Sequence, residues 1–406
     1  MNLSATKLNA THCSLKAQLN KPSFDVDFWA GETAVALPLI AKKILPFSKV
    51  AILYTKASHE KFSNALAEKF RKNGNPVISL VMPEDFSDSV DCYSDLFNVA
   101  EDVRLVVALD EKLFSIAKYF STIRQIECIC AVNSLNFFNI LAPKITIKNK
   151  DLLEEITISA KGHILLDYGE IESASQSLSS AYSFMVSHTL ALVDYRINAF
   201  LADKPVNKIA YQLASQSIVN AYSLFSNKNA DFFGVLTENL FNLEMANAFC
   251  DNALYQSFSA NFALQGQAEN DYASNLLLAS TLIAKIYNLF CEGKYTNLLQ
   301  YPNYISRADF ISKKLKINHA LVTKTIVDNY NVLEQKRGKG TQYLKRMIKD
   351  IQSFINCSKI MENTFTILGG NLSYPNDDLV QMIKHSGDLR LNAMSLVRDS
   401  GITELI

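Results

Sequence analysis

The chain has 406 residues, and its 40 basic and 40 acidic side chains give a formal net charge of zero. This balance argues against a general electrostatic attraction to nucleic acid or to an anionic membrane. The length exceeds that of one ordinary domain, and an apolar fraction of 49% is enough to build two cores. No segment is typical of a signal peptide or reaches transmembrane length, so we expect a cytoplasmic protein.

Seven cysteines, an odd number, are scattered along the chain. Cys128 and Cys130 stand two residues apart on a predicted strand, where alternate side chains point to the same face. This spacing is not the CxxC spacing of a redox motif or a metal site. Reduced, buried thiols are therefore expected, as is usual in the cytoplasm.

Strand and helix patterns alternate in the first half of the chain. A buried strand is predicted over 49–55, and further strands are predicted over 76–82, 104–109, 126–132, 145–147 and 163–168. Helices are predicted over 59–74, 93–100 and 112–121. This alternation predicts βαβ crossovers and a parallel sheet, so we expect residues 1–170 to form a Rossmann-like α/β domain.

Strand patterns fade after about residue 171, and helical patterns follow. Helices are predicted over 171–201, 206–226, 230–250, 254–264, 268–292, 307–331, 341–359 and 376–406. Breaks are predicted at Pro205, at Pro302 and at the pair Gly338 and Gly340. Residues 171–406 are therefore expected to form an all-helical domain.

The stretch LVVALDEKLFSIAKYF, residues 105–120, reads as a strand, a turn and a helix. An α/β protein commonly binds a nucleotide phosphate at such a turn. Here the turn contains no glycine and has two acids, Asp110 and Glu111. Acids in a first helical turn complement the positive end of the helix dipole, so N-terminal capping without a ligand is the favoured interpretation.

Three stretches together resemble one known family. They are LVVALDEKLFSIAKYFSTI (105–123), the stretch from HILLDYGE to DYRI (163–197), and the ending AMSLVRDSGITELI (393–406). They are similar to the iron-containing alcohol dehydrogenase and dehydroquinate synthase superfamily, nearest its glycerol-1-phosphate dehydrogenase branch. The resemblance implies a dehydroquinate synthase-like architecture, an NAD(P) cofactor, a divalent metal and a homodimer formed through the N-terminal domain.

The cofactor motif of that family is degenerate in this chain. The family's triple glycine falls on Leu109, Asp110 and Glu111, where side chains block close approach and carboxylates repel phosphate. A second family turn falls on residues 131–135, which include Asn133 and Ser134. A following aspartate–glycine pair of the family falls on Phe138 and Asn139. NAD(P) binding is therefore possible only in an altered way.

The metal ligands that the resemblance implies are missing as well. The family aspartate falls on Phe184, and the family histidines fall on Gln256 and Gln265. Phenylalanine cannot ligate, and amide oxygens suit iron or zinc poorly. No histidine stands between His188 and His319, so a small shift of the alignment restores nothing. We therefore expect no metal.

Other polar residues are weaker candidates for a site in the cleft expected between the two domains. His188 fits a satisfied core histidine better than a catalytic one. Asp167 ends a predicted strand, where a ligand or a helix cap are both reasonable readings. A hard-cation site built from Asp167, Gln265 and Glu269, with Asp271 nearby, is a further alternative.

Two segments of the second half raise the question of a partner. The basic run KRGKGTQYLKRMIK (336–349) could bind a phosphate or an acidic partner, but a solvated helix face explains it more simply. Residues 309–329 superficially resemble a helix-turn-helix, with Ile317 and Asn318 in the turn. The zero net charge argues against nucleic-acid binding. No Walker motif or GxSxG motif occurs.

Three functional hypotheses remain open. The favoured one is a divergent glycerol-1-phosphate dehydrogenase-like protein that has lost metal-dependent NAD(P) hydride transfer and has a repurposed binding or regulatory role. The alternative is a metal-independent NAD(P) oxidoreductase acting on a small carbonyl or polyol phosphate, with Tyr182, Ser187, His188 and Gln256 as hydrogen-bond donors. A lyase related to dehydroquinate synthase is weaker, because that chemistry needs the same metal and cofactor.

Overall fold

We describe the protein from a computed structural model. The structure describes residues 5–19, 25–83, 96, 98–99, 101–137, 139–149, 152–159, 161–174, 178–226, 232–250, 254, 272–293, 303–351 and 377–398. The chain divides into two compact units. The first contains residues 1–177 with 224–252, and the second contains residues 178–223 with 253–406.

The first unit is built on a six-stranded sheet, and all five of its strand pairings are parallel. The sheet strands in chain order are β1 Val26–Ala30, β2 Lys49–Tyr54, β3 Val77–Val81, β4 Val103–Ala108, β5 Glu127–Val132 and β8 Gly162–Leu166. Their spatial order is β1-β8-β5-β4-β2-β3. The parallel α/β fold that the sequence predicts is therefore confirmed. Strands β6 Lys144–Asn149 and β7 Leu152–Thr157 form a separate antiparallel hairpin.

Six helices of the first unit lie in its described residues, and four of them follow a sheet strand directly or after a short turn. The six helices are α1 Thr6–Leu19, α2 Thr33–Ile44, α3 Lys56–Lys72, α4 Phe114–Arg124, α5 Tyr168–Ser173 and α8 Phe232–Phe249. A 3-10 turn, Glu111–Leu113, leads into α4. Helix α8 lies far along the chain, and its Phe241 packs on Phe28 and Phe137 with ring centroids 5.6 and 4.3 Å apart. These aromatic contacts tie residues 224–252 to the first unit, although the sequence pattern places them in the helical half.

Strand β1 forms one edge of the sheet, and helix α1 covers it. The Asn9 side chain donates to the Phe28 carbonyl and accepts from the Phe28 amide, both at 2.8 Å. The Asn9 side chain therefore satisfies the backbone N–H and C=O groups of Phe28 on this edge strand, which limits pairing with another chain. Neither α1 nor β1 is among the elements that the sequence pattern predicts.

The second unit is helical in its described residues. Its helices are α6 Leu178–Leu201, α7 Lys208–Ser226, α9 Tyr272–Cys291, α10 Tyr304–Leu315, α11 His319–Ile351, α12 Asp377–His385 and α13 Ala393–Arg398; α7 runs across the boundary into the first unit. Helix α6 is buried along almost its whole length. Its Asp194 accepts from the Tyr287 hydroxyl at 2.7 Å and from the Ala393 amide at 3.1 Å. This carboxylate fixes the closing helix α13 to the core of the unit.

Three helix predictions are wrong: one predicted break does not occur, and two predicted helices are interrupted. The predicted break at Gly338 and Gly340 lies inside α11, which continues for 33 residues. The break falls instead at Lys316, which ends α10 in the left-handed conformation at φ 53°. A Cβ on Gly340 would lie 3.2 Å from Leu396 side-chain atoms, so close packing accounts for this glycine. The predicted single helices 171–201 and 376–406 are each interrupted.

The cysteine prediction holds for three positions. Cys128, Cys130 and Cys250 are buried and form no disulfide, whereas Cys13 is exposed. Within the part of the chain that the structure describes, no helix combines the length and apolar character needed to cross a membrane.

Candidate functional site

The strand order of the first unit reverses between β2 and β4. From β2 the chain continues to β3 on one side and then returns to β4 on the other. Open parallel sheets bind ligands in the crevice beyond the carboxyl ends of strands at such a reversal. The residues that follow these two strands are Thr55 and the turn 109–111. The carboxyl ends of β2 and β4 are therefore the place where a dinucleotide would be expected.

The turn after β4 carries its own hydrogen bonds. The Asp110 carboxylate accepts from the Lys112 amide at 3.1 Å and so caps the 3-10 turn. Its other oxygen accepts from the Thr55 hydroxyl at 3.1 Å, directly across the reversal point. Thr55 is in turn the N-cap of α3, where it forms a capping box with Ser58.

Glu111 extends the same arrangement to strand β5. The Ser134 hydroxyl, just beyond β5, donates to the Glu111 carboxylate at 2.6 Å. Burial, together with the negative charge of Asp110, raises the pKa of Glu111, and the hydrogen bond from Ser134 opposes this rise. The carboxyl group is thus a costly place to add further negative charge.

A second chain of hydrogen bonds crosses the same edge. The buried Asp167 carboxylate accepts from the Thr33 amide at 2.7 Å and from the Glu170 amide at 3.2 Å. It therefore occupies the N-termini of α2 and α5, where an anion is favoured. The Thr33 hydroxyl donates to Asn133 at 2.8 Å, and Asn133 donates to the Leu109 carbonyl at 3.2 Å.

Together these contacts link the carboxyl ends of five strands. Protein carboxylates take the positions at helix starts that a phosphate would use in a nucleotide-binding protein. Thr33 and Thr55 were not among the predicted site residues. Their sequence signal is the position of a threonine between a strand and a helix, which is typical of a helix start.

The loop after Ser134 is held by two buried charged side chains. Lys118 of α4 donates to the carbonyls of Asn139, Ile140 and Ala142 at 3.3, 3.2 and 3.0 Å. Glu244 of α8 accepts from the Asn139 amide at 3.0 Å. Burial raises the pKa of Glu244 to about 7. Asn139 has φ 61°, a conformation that suits the glycine found there in the resembling family.

His188 is a buried core residue on α6. Its Nδ1 lies 2.8 Å from the Phe184 carbonyl, and the two rings lie 3.9 Å apart. A carbonyl only accepts, so Nδ1 carries the proton and Nε2 presents a lone pair. Nε2 is buried and has no hydrogen-bond partner. Burial lowers the pKa of His188 to about 4, so the imidazole is neutral at physiological pH.

The described residues do not fit a metal site of the family type. Phe184, which the resemblance places at the family aspartate, has no ligating atom, and His188 offers a single nitrogen atom. In the part of the chain that the structure describes, no group of three His, Cys, Asp or Glu side chains is placed to hold an ion. The predicted positions Gln256, Gln265, Glu269 and Asp271 lie outside the described residues. Both oxygens of Asp167 already accept backbone amides, which weakens the hard-cation alternative.

Part of the predicted basic run has a structural role. Lys336 of α11 donates to the Leu201 carbonyl at 2.7 Å and pairs with Asp203, so it caps the end of α6. The predicted helix-turn-helix segment does contain two helices joined at Ile317 and Asn318. This local likeness supplies no groove-reading surface by itself.

Comparison with known proteins rests on structure alone. No protein-family model matches the sequence, and no curated protein matches it. A probable glycerol dehydrogenase from Sinorhizobium meliloti 1021 superposes with a TM-score of 0.54 at 10% identity, covering 95% of this chain and 98% of that one. Glycerol dehydrogenase from Schizosaccharomyces pombe gives 0.52 at 14% identity, covering 94% and 90%.

An iron-containing alcohol dehydrogenase from Thermococcus thioreducens gives a TM-score of 0.52 at 12% identity, covering 94% of this chain and 98% of that one. The chain has the fold of the iron-containing alcohol and glycerol dehydrogenases. At these identities the likeness concerns the fold, because one fold supports many activities. The activity has to be inferred from the site.

Proposed function

We propose that this chain is a divergent protein of the dehydrogenase fold that has lost metal-dependent NAD(P) hydride transfer and acts in a binding or regulatory role. The observation that carries this proposal is the turn 109–111. Asp110 is bound to Thr55 across the reversal point between β2 and β4, and Glu111 is bound to Ser134 between β4 and β5. These contacts support the proposal, because side chains of the protein itself bind both acids of this turn.

Electrostatics supports the proposal. Two like charges at 4 Å repel by about 4 kcal/mol at an effective dielectric constant of about 20. A pyrophosphate placed at this turn would meet Asp110 and Glu111 together. It would also have to displace the hydrogen bond between Ser134 and Glu111, which removes the hydroxyl donor of this part-buried carboxyl group. Both costs oppose dinucleotide binding at this edge.

The residues of the second unit support the loss of metal-dependent chemistry. The resemblance predicts a metal ligand at Phe184, which cannot ligate, and its ring packs on the ring of His188. A hydride transfer that depends on a metal needs an ion to polarise the carbonyl group. The described residues offer one imidazole nitrogen for that purpose, which is too few for a catalytic site with three protein ligands.

The alternative, a metal-independent oxidoreductase, requires hydrogen-bond donors to polarise a carbonyl group. His188 is unsuited to that task, because its free Nε2 is an acceptor. The Ser187 hydroxyl already donates to the Phe184 carbonyl at 2.8 Å. These two contacts favour the first proposal over the alternative. We infer that, among proteins of this fold, this chain is nearest the glycerol-1-phosphate dehydrogenase branch, because residues 105–123, 163–197 and 393–406 resemble that branch.

Ligand-dependent thermal stabilisation tests the proposal. A ligand present at about 100 times its dissociation constant should add roughly 2.7 kcal/mol of stability. We expect no stabilisation of the purified protein by NAD(H) or NADP(H), alone or with Zn²⁺, Ni²⁺ or Fe²⁺. A clear stabilisation by a dinucleotide and a metal together would overturn the proposal.

A further inference from the structure

A second polar cluster lies at the opposite end of the sheet, near the amino ends of β1, β8 and β5. Its centre is His163, whose side chain is fully buried. His163 Nε2 lies 2.6 Å from a Glu127 carboxylate oxygen. The Trp29 indole nitrogen lies 3.2 Å from His163 Nδ1, and an Asp27 carboxylate oxygen lies 3.6 Å from the same atom. None of these residues contributes to the candidate functional site.

The hydrogen-bond partners determine where the imidazole proton is. An indole N–H can only donate, so His163 Nδ1 must accept from Trp29. The remaining proton is therefore on Nε2 and is donated to Glu127. In this arrangement the imidazole is neutral and joins strands β1, β8 and β5.

Protonation of Nδ1 would be incompatible with the contact to Trp29. Two N–H groups would then face each other at 3.2 Å. An Asp27 carboxylate oxygen lies 3.6 Å from Nδ1 and can accept its proton after a small side-chain movement. The added proton therefore favours an exchange of partners from Trp29 to Asp27.

The charged groups around His163 shift its pKa in both directions. Glu127 and Asp27 favour the imidazolium, whereas Lys161, which lies 3.0 Å from Asp27, disfavours it. Lys43 of α2 lies over the Trp29 ring, 4.8 Å from its centre. Burial is the largest influence and lowers the pKa of His163 below its ordinary value.

We propose that His163 is a proton-operated switch that holds Trp29 when neutral and turns to Asp27 when protonated. Trp29 is the penultimate residue of β1, and the chain continues directly to Thr33, whose amide binds Asp167 at the far end of the sheet. Release of the indole loosens β1 at a point adjacent to that contact. The switch rests on contacts of the first unit and is independent of the proposed loss of hydride transfer.

The emission of Trp29 reports this exchange, because it is the only tryptophan in the chain. We expect the fluorescence of the full-length protein to follow one titration on acidification, with a midpoint below about pH 6.5. Circular dichroism at each pH would establish that the protein remains folded. Asp27→Asn should lower the midpoint and Lys161→Gln should raise it, each by roughly half a unit to one unit.

Two further variants complete the test. His163→Gln should abolish the titration, and His319→Gln, which changes an exposed histidine of the second unit, should leave it unchanged. The proposal is overturned if the emission of the folded protein does not change with pH. It is also overturned if the midpoint is the same in Asp27→Asn and Lys161→Gln. This pair keeps the native His163, so it decides the question even if His163→Gln does not fold.

Discussion

The Thr55 hydroxyl donates to the Asp110 carboxylate at 3.1 Å across the point where the strand order of the sheet reverses. A ligand crevice is expected at this point, and here the hydrogen bond between Thr55 and Asp110 spans it. The contact between Ser134 and Glu111 does the same between β4 and β5. These two pairs link the carboxyl ends of β2, β4 and β5, and their contribution to the stability of the first unit can be measured.

Removal of the Ser134 hydroxyl should destabilise the first unit. Ser134→Ala removes the hydroxyl donor of the Glu111 carboxyl group, which keeps its backbone donors, so the loss should cost about 0.5–1.5 kcal/mol. Urea unfolding followed by the emission of Trp29 measures this cost. Ser63→Ala on α3 serves as the control, because a helix-surface alanine should change stability by less than about half a kcal/mol. Equal effects of the two substitutions would contradict the structural role of Ser134.

Glu244 should make the stability of the first unit depend on pH. Its folded pKa of about 7 lies above the ordinary glutamate pKa of 4.5, so between these values the folded state binds a proton that the unfolded state has released. Stability should therefore fall as pH rises through this window, by about 3 kcal/mol for a full shift. The same unfolding experiment on Glu244→Gln should show this dependence reduced.

The control for Glu244 is Glu60→Gln on the exposed surface of α3, which should keep the pH dependence of the wild type. The relevant quantity is the difference in unfolding free energy between wild type and variant at each pH. A difference that is constant from about pH 4 to about pH 8 would show that Glu244 is not a protonated buried acid.

His188 should give the second unit the opposite pH dependence, with stability falling on acidification. Its folded pKa of about 4 lies below the ordinary histidine pKa of 6.5, so the unfolded state binds the proton first as pH falls. Stability should therefore decrease on acidification between these values, by about 3 kcal/mol for a full shift. In His188→Asn, an amide N–H can still donate to the Phe184 carbonyl and this decrease should disappear. An unchanged decrease would assign it to other groups.

The two glycines of α11 should respond differently to the same substitution. A Cβ at Gly338 meets no atom within 4 Å, whereas a Cβ at Gly340 would lie 3.2 Å from Leu396 side-chain atoms. Gly338→Val should change stability by less than about half a kcal/mol. Gly340→Val should destabilise by about 1–3 kcal/mol through overpacking. Thermal unfolding followed by circular dichroism compares them, and equal effects would refute the packing explanation.

The sequence predicted the central strands of the sheet well, because β2, β4 and β5 are continuous apolar runs bounded by turn residues. It did not predict β1, whose Asp27 interrupts the apolar run at a sheet edge. It also misread Gly340 as a helix break. The reason for that glycine is Leu396, a residue 56 positions later that no local pattern identifies.

The candidate site was only partly predictable for the same reason. The acids of the turn 109–111 are visible in the sequence as a departure from a glycine-rich turn. Their partners are not visible, since Thr55 and Ser134 lie 55 and 23 residues away along the chain. The protonation state of His188 likewise depends on burial and on one backbone carbonyl, which require coordinates.

Direct titration of the protein with NADH by isothermal calorimetry tests the central claim most directly. We predict no binding heat for the wild type at millimolar NADH, because the turn 109–111 is filled and negatively charged. The double variant Asp110→Gly with Glu111→Gly, which opens the turn and removes both charges, should bind more tightly than the wild type. A micromolar dissociation constant for NADH on the wild type would contradict the account and revive an active dehydrogenase.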